Sequence, residues 1–211
     1  MRKVIPTIFN HNKKEFKERL EKIFSISKDF QIDFMDGKFV GEKSIKVKET
    51  PNLKKLNKNF EAHLMTMKPE KKIGILKRKG FNKVIFHYES SKNPEKTIKK
   101  IKKYGLKCFI AINPETSVKR IFHFLENADG VLVMGVHPGK ERQNFIPETY
   151  KKIEEIKKVF PKKTIQIDGG INIPTAKRLK NLGVEIINTG SFVSKSENPK
   201  ENLEKLKKAF I

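Results

Sequence analysis

Short apolar runs alternate with longer Lys- and Glu-rich segments along most of the chain. The short runs predict β-strands, because a parallel strand covered on both faces is apolar nearly throughout. The longer segments place apolar residues three and four positions apart, which is the spacing of one helix face. The predicted strands are Val4–Phe9, Phe30–Met35, Phe60–Met65, Lys83–Tyr88, Leu106–Ile112, Val131–Val136, Thr164–Asp168 and Val184–Thr189.

Amphipathic helices are predicted between these strands. The first has Phe16, Leu20, Ile23 and Phe24 on one face. Glycines end several helices just before a strand, where a left-handed cap is suited, and prolines lie near several helix starts. The segment 38–59 shows the weakest pattern in the chain. The remaining helices are predicted over 69–78, 94–104, 117–126, 147–160, 174–182 and 198–210.

Strands that alternate with helices predict right-handed βαβ units and a parallel sheet. Eight such units of roughly 25 residues match a closed (β/α)8 barrel. We therefore predict an α/β protein with a TIM barrel as its single domain over residues 1–211. An open doubly wound sheet is the alternative, but it usually has a glycine-rich loop after its first strand, and Phe9-Asn10-His11-Asn12 has no glycine.

Composition excludes several other classes of protein. The chain is 36% hydrophobic and 34% charged, which is outside the range of low-complexity or disordered sequences. No apolar run approaches the ~20 residues of a membrane helix, and the first residues lack a signal-peptide pattern. The single cysteine, Cys108, allows no intramolecular disulfide and is expected to be buried. A cytoplasmic location with no membrane partner is expected.

The net charge of +23 suggests nucleic-acid binding at first sight. Lys pairs nevertheless occur all along the chain, from Lys13-Lys14 to Lys207-Lys208, rather than in one segment. Such a distribution is typical of solvated outer helix faces, so the pattern argues against nucleic acid as a partner. The positive charge would still attract an anionic substrate.

Polar side chains interrupt the apolar pattern on three predicted strands. Alternation puts Gln31, Asp33 and Met35 on the face opposite to three apolar neighbours. The third strand has Glu61, His63 and Met65 on one face, and the seventh has Thr164, Gln166 and Asp168. A buried carboxylate is costly unless it is paired. Three polar inner rows that end near the carboxyl ends of barrel strands therefore predict an active site.

Asp33 and Asp168 fall on the second and seventh strands, so they could approach a small substrate from opposite faces. With His63 they form a set of O and N ligands suited to Zn, Mn, Fe or Co. Such a metal would polarise a carbonyl and stabilise an enediolate. Glycines at Asp168-Gly169-Gly170 and Thr189-Gly190-Ser191 follow the seventh and eighth strands, where barrels commonly bind phosphate.

With these residues in place, the chain resembles the ribulose-phosphate 3-epimerase family over nearly its full length. The resemblance implies a metal-dependent barrel that interconverts ribulose 5-phosphate and xylulose 5-phosphate in the pentose phosphate pathway, as a homo-oligomer. The segments that show it are Pro6-Thr7-Ile8, Ile32-Asp33-Phe34-Met35-Asp36-Gly37-Lys38-Phe39-Val40, Ala62-His63-Leu64-Met65, Phe86-His87-Tyr88-Glu89, Val133-Met134-Gly135-Val136-His137-Pro138-Gly139, Gln143-Asn144-Phe145, Asp168-Gly169-Gly170-Ile171 and Gly190-Ser191.

By position, the resemblance implies that Asp33 and Asp168 act as acid and base and also as metal ligands. His63 matches a further ligand, and the methionines match an apolar cap over the intermediate. The metal ligands so implied are Gln31, Asp33, His63 and Asp168. The implied or expected substrate contacts are Thr7, Met35, His63, Met65, Met134, Gly139, Lys140, Arg142, Gly169, Gly170, Gly190 and Ser191.

Two departures from the family pattern bear on metal and substrate. The family has His where this chain has Gln31, and an amide coordinates such metals more weakly than imidazole. The family has an aromatic residue and two glycines after the Pro-Gly of its phosphate loop, whereas Pro138-Gly139 is followed here by Lys140-Glu141-Arg142. Lys140 or Arg142 could supply charge where backbone approach is lost.

The sequence therefore supports the hypothesis of an isomerase that epimerises a ketose phosphate at C3 by two-base proton transfer. An epimerase for another ketose phosphate, such as allulose 6-phosphate, is one alternative. A catalytically impaired barrel that binds nucleic acid or protein is the other. Among the other polar residues, His87 with Glu89 is expected to line the pocket, and His11 and His137 to lie close to it.

Overall fold

β-Branched and aromatic residues dominate the apolar runs, and each run forms a strand of one closed parallel barrel in the computed structural model, which describes residues 2–211. Each strand pairs with its neighbours in sequence, and the eighth closes on the first. The predicted TIM barrel is thus confirmed. The strands are β1 (Lys3–Ile8), β2 (Asp29–Met35), β3 (Asn59–Met65), β4 (Lys83–His87), β5 (Lys107–Ile112), β6 (Gly130–Met134), β7 (Thr164–Asp168) and β8 (Ile186–Thr189).

The Lys- and Glu-rich segments form the outer helices, and side-chain caps fix several of their starts. Asn12, Asn93, Asn172 and Asn198 each accept a hydrogen bond from a backbone N–H in the first turn of a helix. The helices are α1 (Lys13–Phe24), α2 (Ile73–Lys79), α3 (Pro94–Lys103), α4 (Phe122–Leu125), α5 (Glu148–Val159), α6 (Ile173–Asn181), α7 (Ser191–Ser194) and α8 (Pro199–Phe210).

The weakly patterned segment 38–59 connects β2 to β3 without an α-helix. It holds 3₁₀ turns at Val47–Glu49 and Lys54–Leu56, and Ile45 and Leu53 are buried where a helix would otherwise cover the strands. The predicted helices 69–78 and 117–126 each begin as a 3₁₀ turn, at Pro69–Lys71 and Val118–Ile121. The short helix α7 was not predicted.

Strand β6 is shorter than the predicted Val131–Val136 because the backbone at Gly135 leaves the barrel. The Gly135 N–H donates to the carbonyl of Asp168, and the Gly135 carbonyl accepts from the N–H of Ile146. A Cβ at Gly135 would lie 2.5 Å from the carbonyl oxygen of Gly169. Only glycine fits this close contact, which draws the loop after β6 against the loop after β7.

The strands bury their outward faces against the helices and hold their polar rows inside the barrel. Phe30, Phe34 and Phe60 are almost fully buried in the main apolar core, as is Cys108, which confirms its predicted burial. Parallel pairing sets Asp33 beside His63 and Met134 beside Asp168 in the register of the strands. Among residues 2–211, no helix has both the length and the apolar character to cross a bilayer.

Candidate active site

The two carboxylates predicted to meet do meet, at one ring nitrogen of one imidazole. His63 Nδ1 lies 3.1 Å from Asp33 Oδ1 and 3.4 Å from Asp168 Oδ2. The pairing of β2 with β3 places Asp33 beside His63, and barrel closure through β1 and β8 brings Asp168 across to them. These three residues form the upper cluster, which lies near the carboxyl ends of the strands.

Gln31 bridges the two carboxylates of the upper cluster. Its amide Nε2 donates to Asp33 Oδ1 at 3.0 Å and to Asp168 Oδ2 at 2.5 Å, and it lies 3.5 Å from Thr7 Oγ1. This orientation follows from chemistry, since two acceptor carboxylates need a donor between them. The Gln31 amide oxygen therefore points down the barrel, 3.5 Å from Gln166 Nε2.

A second buried polar group lies one layer below. Lys83 forms an ion pair with Glu61 and donates to Gln166 Oε1 at 2.9 Å. Gln166 Nε2 in turn donates to Glu61 and to Asn188 Oδ1. These residues, Glu61, Lys83, Gln166 and Asn188, form the lower cluster, in which one cation faces one anion.

Burial and charge set the protonation of the upper cluster in the absence of a metal. Burial raises the pKa of Asp33 to about 6, and its contacts with the His63 imidazole and the Gln31 amide only partly offset this. Burial lowers the pKa of His63, but hydrogen bonds and charge from Asp168 and Asp33 outweigh it and raise the pKa to about 9. An imidazolium thus neutralises part of the carboxylate charge near pH 7.

The upper cluster also fits a divalent cation. Ligand atoms of Asp33, His63 and Asp168 all lie within 4.8 Å of one another, and carboxylate oxygen with imidazole nitrogen suits Zn, Mn, Fe or Co. In the orientation described above, Gln31 presents its nitrogen to this group. Its amide would have to rotate before the oxygen could become the fourth ligand predicted from the sequence.

His87 and Glu89 lie behind His63 and are absent from the wall of the cavity, so the pocket-lining prediction for them is wrong. The rings of His63 and His87 meet with their Nε2 atoms 2.9 Å apart. Burial lowers the pKa of His87. Burial raises the pKa of Glu89, but His87, Thr116 and the Asn113 N–H stabilise the carboxylate and lower that pKa to about 2. The pair supports the imidazole that faces the carboxylates.

The aspartate of the Met-Asp-Gly segment positions the loops above the upper cluster. Asp36 Oδ1 accepts from the N–H groups of Lys38 and Phe39, and Oδ2 accepts from the N–H of Met67. These hydrogen bonds hold the loop after β2 to the loop after β3, and they lower the pKa of Asp36 against the opposing effect of burial. Asp36 therefore shapes the mouth of the cavity from outside it.

A cavity of about 420 Å³ opens over the upper cluster and contains most of the predicted substrate contacts. Met35 is the exception, since it packs behind Met65 with Phe9 and does not reach the wall. His137 lies on the wall, whereas His11 is absent from it and packs edge-to-face against Phe9. The predicted contacts on the wall are Thr7, His63, Met65, Met134, Gly139, Lys140, Arg142, Gly169, Gly170, Gly190 and Ser191, with Asp33 and Asp168 at the base.

The distal end of the cavity is formed by the loops after β6, β7 and β8. Gly139, Gly169 and Gly170 have positive φ angles there, a conformation that favours glycine. Because glycine has no side chain, their backbone is bare at the cavity wall. Arg142 also has a positive φ, of 60°, and so holds a backbone conformation that favours glycine. Its loop keeps that shape although its side chain is long and charged.

The residues on the cavity wall that were not predicted from the sequence include Asn188, Glu141 and Lys195. Asn188 has a visible signal, since it is a polar residue in the apolar run of β8. Glu141 was noted only as part of an altered loop, and Lys195 is one lysine among many. Neither has a periodicity or spacing that distinguishes it, because each reaches the cavity through loop geometry alone.

Comparisons with known proteins identify a family and a shared fold. Residues 3–194 match the Ribulose-phosphate 3 epimerase family. The ribulose-phosphate 3-epimerase of Schizosaccharomyces pombe is 30% identical over 99% of this chain and 94% of its own length, and that of Methanocaldococcus jannaschii is 30% identical over 99% and 89%. The solved structure of KGPDC from Streptococcus mutans shares the fold, with a TM-score of 0.73, 11% identity and coverage of 99% and 97%.

A match over most of the chain, with relatives at this level of identity, decides the family. It supports a sugar-phosphate epimerase activity. The chain belongs to the ribulose-phosphate 3-epimerase family and is an isomerase.

Proposed function

We propose that this protein interconverts D-ribulose 5-phosphate and D-xylulose 5-phosphate by proton transfer at C3. The observation that supports this most directly is the placement of Asp33 and Asp168 on two different strands, with both carboxylates within 3.4 Å of one His63 nitrogen at the base of one cavity. Two acid/base groups on opposite faces are what inversion of a stereocentre needs, because the proton leaves one face and another proton arrives on the other.

In the forward step, one carboxylate takes the C3 proton, and the C3–H electron pair becomes the C2–C3 double bond of an enediolate. The negative charge moves to the C2 oxygen. The second carboxyl group, in its acid form, then donates a proton to the opposite face of C3. The pKa of about 6 for Asp33 suits this exchange, since both its forms are accessible near neutral pH.

Asp33, His63 and Asp168 would hold the divalent cation, Zn, Mn, Fe or Co, which when bound polarises the ketone and offsets the charge that develops on oxygen. Thr7 lies on the cavity wall and accepts from the same Gln31 amide that donates to Asp33, so its hydroxyl can orient a hydroxyl group of the sugar. Met65 and Met134 line the wall beside them and exclude water from the reacting carbon.

The distal end of the cavity suits the phosphate group. Gly169, Gly170 and Gly190 bring bare backbone to the wall, and Lys140 and Arg142 add positive charge. The excess of basic residues over the whole chain would favour the approach of this anion. From the same family membership, we also propose a role in the pentose phosphate pathway, a cytoplasmic location and a homo-oligomeric state.

A second substrate is favoured by the loop after β6. Three charged side chains, Lys140, Glu141 and Arg142, reach the cavity wall there and can alter the length of ketose phosphate that fits. An epimerase for another ketose phosphate, such as allulose 6-phosphate, is the second candidate. Comparison of kcat/KM over a panel of five- and six-carbon ketose phosphates separates the two.

The test is an assay of the purified protein in D₂O with a divalent metal. We expect ribulose 5-phosphate to convert to xylulose 5-phosphate with deuterium incorporated at C3. Absence of conversion and of deuterium exchange with every member of the panel would overturn the proposal. Salt-sensitive binding to duplex DNA or RNA without any turnover would favour the non-catalytic alternative instead.

A further inference from the structure

An ion cluster of three side chains lies at the distal end of the cavity, away from the upper cluster. Glu141, in the loop after β6, pairs with Arg19 of α1 through two bonds of 3.0 and 3.2 Å. Lys195, just after α7, pairs with Glu141 Oε2 at 2.7 Å. The Glu141 side chain is 12% exposed, so its charge is largely withdrawn from water.

Glu141 holds its carboxylate beside the bare backbone where phosphate is expected. A Cβ on Gly190 would lie 3.9 Å from Glu141 Oε1, with no other heavy atom within 4 Å. Glu141, Lys195, Gly190 and Ser191 all line the same cavity. A resident anion therefore occupies the neighbourhood in which a substrate anion would have to bind.

The two cations differ in how tightly they are held by Glu141. Arg19 makes a two-bond pair, is 17% exposed and is absent from the cavity wall. Its planar fork matches the carboxylate and fixes it in place. Lys195 makes one contact, is 36% exposed and lies on the wall. Its flexible stem can turn from the carboxylate to an anion in the cavity.

We propose that Lys195 is a specificity-determining residue that binds the phosphate of the substrate, and that Glu141 is its counter-ion in the empty site. When phosphate binds, Lys195 exchanges the Glu141 carboxylate for the phosphate oxygens. Arg19 then keeps Glu141 neutralised, so that the two anions do not face each other uncompensated. This inference rests on the proposed function and names the residue that recognises the distal group.

If Lys195 exchanges Glu141 for phosphate, substitutions of these two residues should change the affinity for anions in opposite directions. Removal of the Lys195 charge should weaken anion binding, because a charge-assisted contact is lost. Glu141→Gln should strengthen anion binding, because it frees Lys195 and removes a repulsive charge. A purely structural ion cluster predicts otherwise, since loss of either partner would then disorder the loop and weaken binding in both variants.

The experiment is a calorimetric titration of inorganic phosphate into wild type, Lys195→Met and Glu141→Gln, together with kcat and KM for ribulose 5-phosphate. We expect Lys195→Met to raise both the phosphate dissociation constant and KM about tenfold, with kcat changed by less than about threefold. Glu141→Gln should lower the phosphate dissociation constant, and Lys195→Arg should keep it within about threefold of wild type.

The matched control is Lys205→Met on α8, a lysine that pairs with Glu201 at 2.7 Å and is absent from the cavity wall. It should leave phosphate binding unchanged, and thermal unfolding should show each variant folded. Weaker phosphate binding in folded Glu141→Gln, or unchanged binding in Lys195→Met, would overturn the inference.

The outcome also separates this inference from the proposed function. Opposite shifts in phosphate binding without turnover of any ketose phosphate would leave the Lys195 assignment standing and remove the epimerase. Normal turnover with no effect of Lys195→Met on phosphate or KM would do the reverse.

Discussion

The barrel interior holds two buried polar clusters one layer apart, and their charge balance differs. In the lower cluster, Lys83 offsets Glu61, and Gln166 hydrogen-bonds to both residues. In the upper cluster, two carboxylates share one imidazole and one amide donor. Only the upper cluster has its charged groups on the wall of the 420 Å³ cavity.

The comparison shows how a buried polar cluster that can bind a ligand differs from one that only supports the fold. The Lys83–Glu61 pair is already balanced in charge, although both residues line a second cavity of about 590 Å³ at the opposite end of the barrel. An excess of hydrogen-bond acceptors next to a cavity can be neutralised by a proton, a cation or a substrate. Without such a partner, it shifts the pKa values of the groups involved. The raised pKa values of Asp33 and His63 report this incompleteness.

The largest effect is expected from Asp33→Asn, which removes one of the proposed acid/base groups. We expect kcat for ribulose 5-phosphate to fall by about 10³-fold, within the range of about 10²–10⁴ for a general acid or base. The free energy of unfolding should change little, because relief of a buried carboxylate is opposed by the loss of its contact with the His63 imidazolium. Asp29→Asn, at the opposite end of β2 and paired with Lys3, is the control and should leave kcat unchanged. Full activity in Asp33→Asn would remove the mechanism.

The lower cluster should show the opposite pattern, with stability lost and chemistry kept. Lys83→Met leaves Glu61 as an unpaired buried carboxylate, which should cost about 3–5 kcal/mol in the free energy of unfolding. The double change Lys83→Met with Glu61→Leu should recover most of that loss. Urea unfolding measures both. A stable Lys83→Met variant with no turnover would contradict the supporting role.

The fold and the upper cluster could be predicted from the sequence because both depend on strict periodicities. Alternation along β2 placed Asp33 inside and Phe34 outside, and the order of strands placed Asp168 opposite. The segment 38–59 lacks such a pattern, since Ile45 and Leu53 are buried by a path of short turns rather than by a repeating element.

Loop geometry explains most of what could not be predicted. Glu141 and Lys195 reach the cavity from loops, where sequence spacing does not fix direction. His87 was assigned to the wall by the inward alternation of β4, but the ring of His63 stands between it and the cavity. The alternation of side chains along a strand predicts which residues point into the barrel. It does not predict which of two inward residues lies nearer to the cavity.

The pH dependence of stability should expose the imbalance of the upper cluster in metal-free protein. The pKa of His63 is raised from 6.5 to about 9, so its contribution is fully present below pH 6.5 and is lost as pH rises through about 9. Linkage puts that contribution at about 3 kcal/mol. The stability difference between wild type and His63→Gln should therefore shrink from pH 6.5 to 9.5 in EDTA-treated samples. The exposed His123→Gln is the control, and a flat difference for His63→Gln would contradict the charge assignment.

The smallest effect is expected where the two clusters join. Gln31 donates to both carboxylates above and lies 3.5 Å from Gln166 below, so its amide stands where a cation would otherwise balance the upper cluster. Gln31→His replaces a weak ligand by a stronger one and should raise metal affinity about tenfold, measured by competition with a chelator. Gln31→Ala should lack this gain, because it removes the amide without adding a ligand. Equal metal affinity in Gln31→His and Gln31→Ala would mean that Asp33, His63 and Asp168 bind the cation unaided, with Gln31 serving only as the hydrogen-bond donor between the carboxylates.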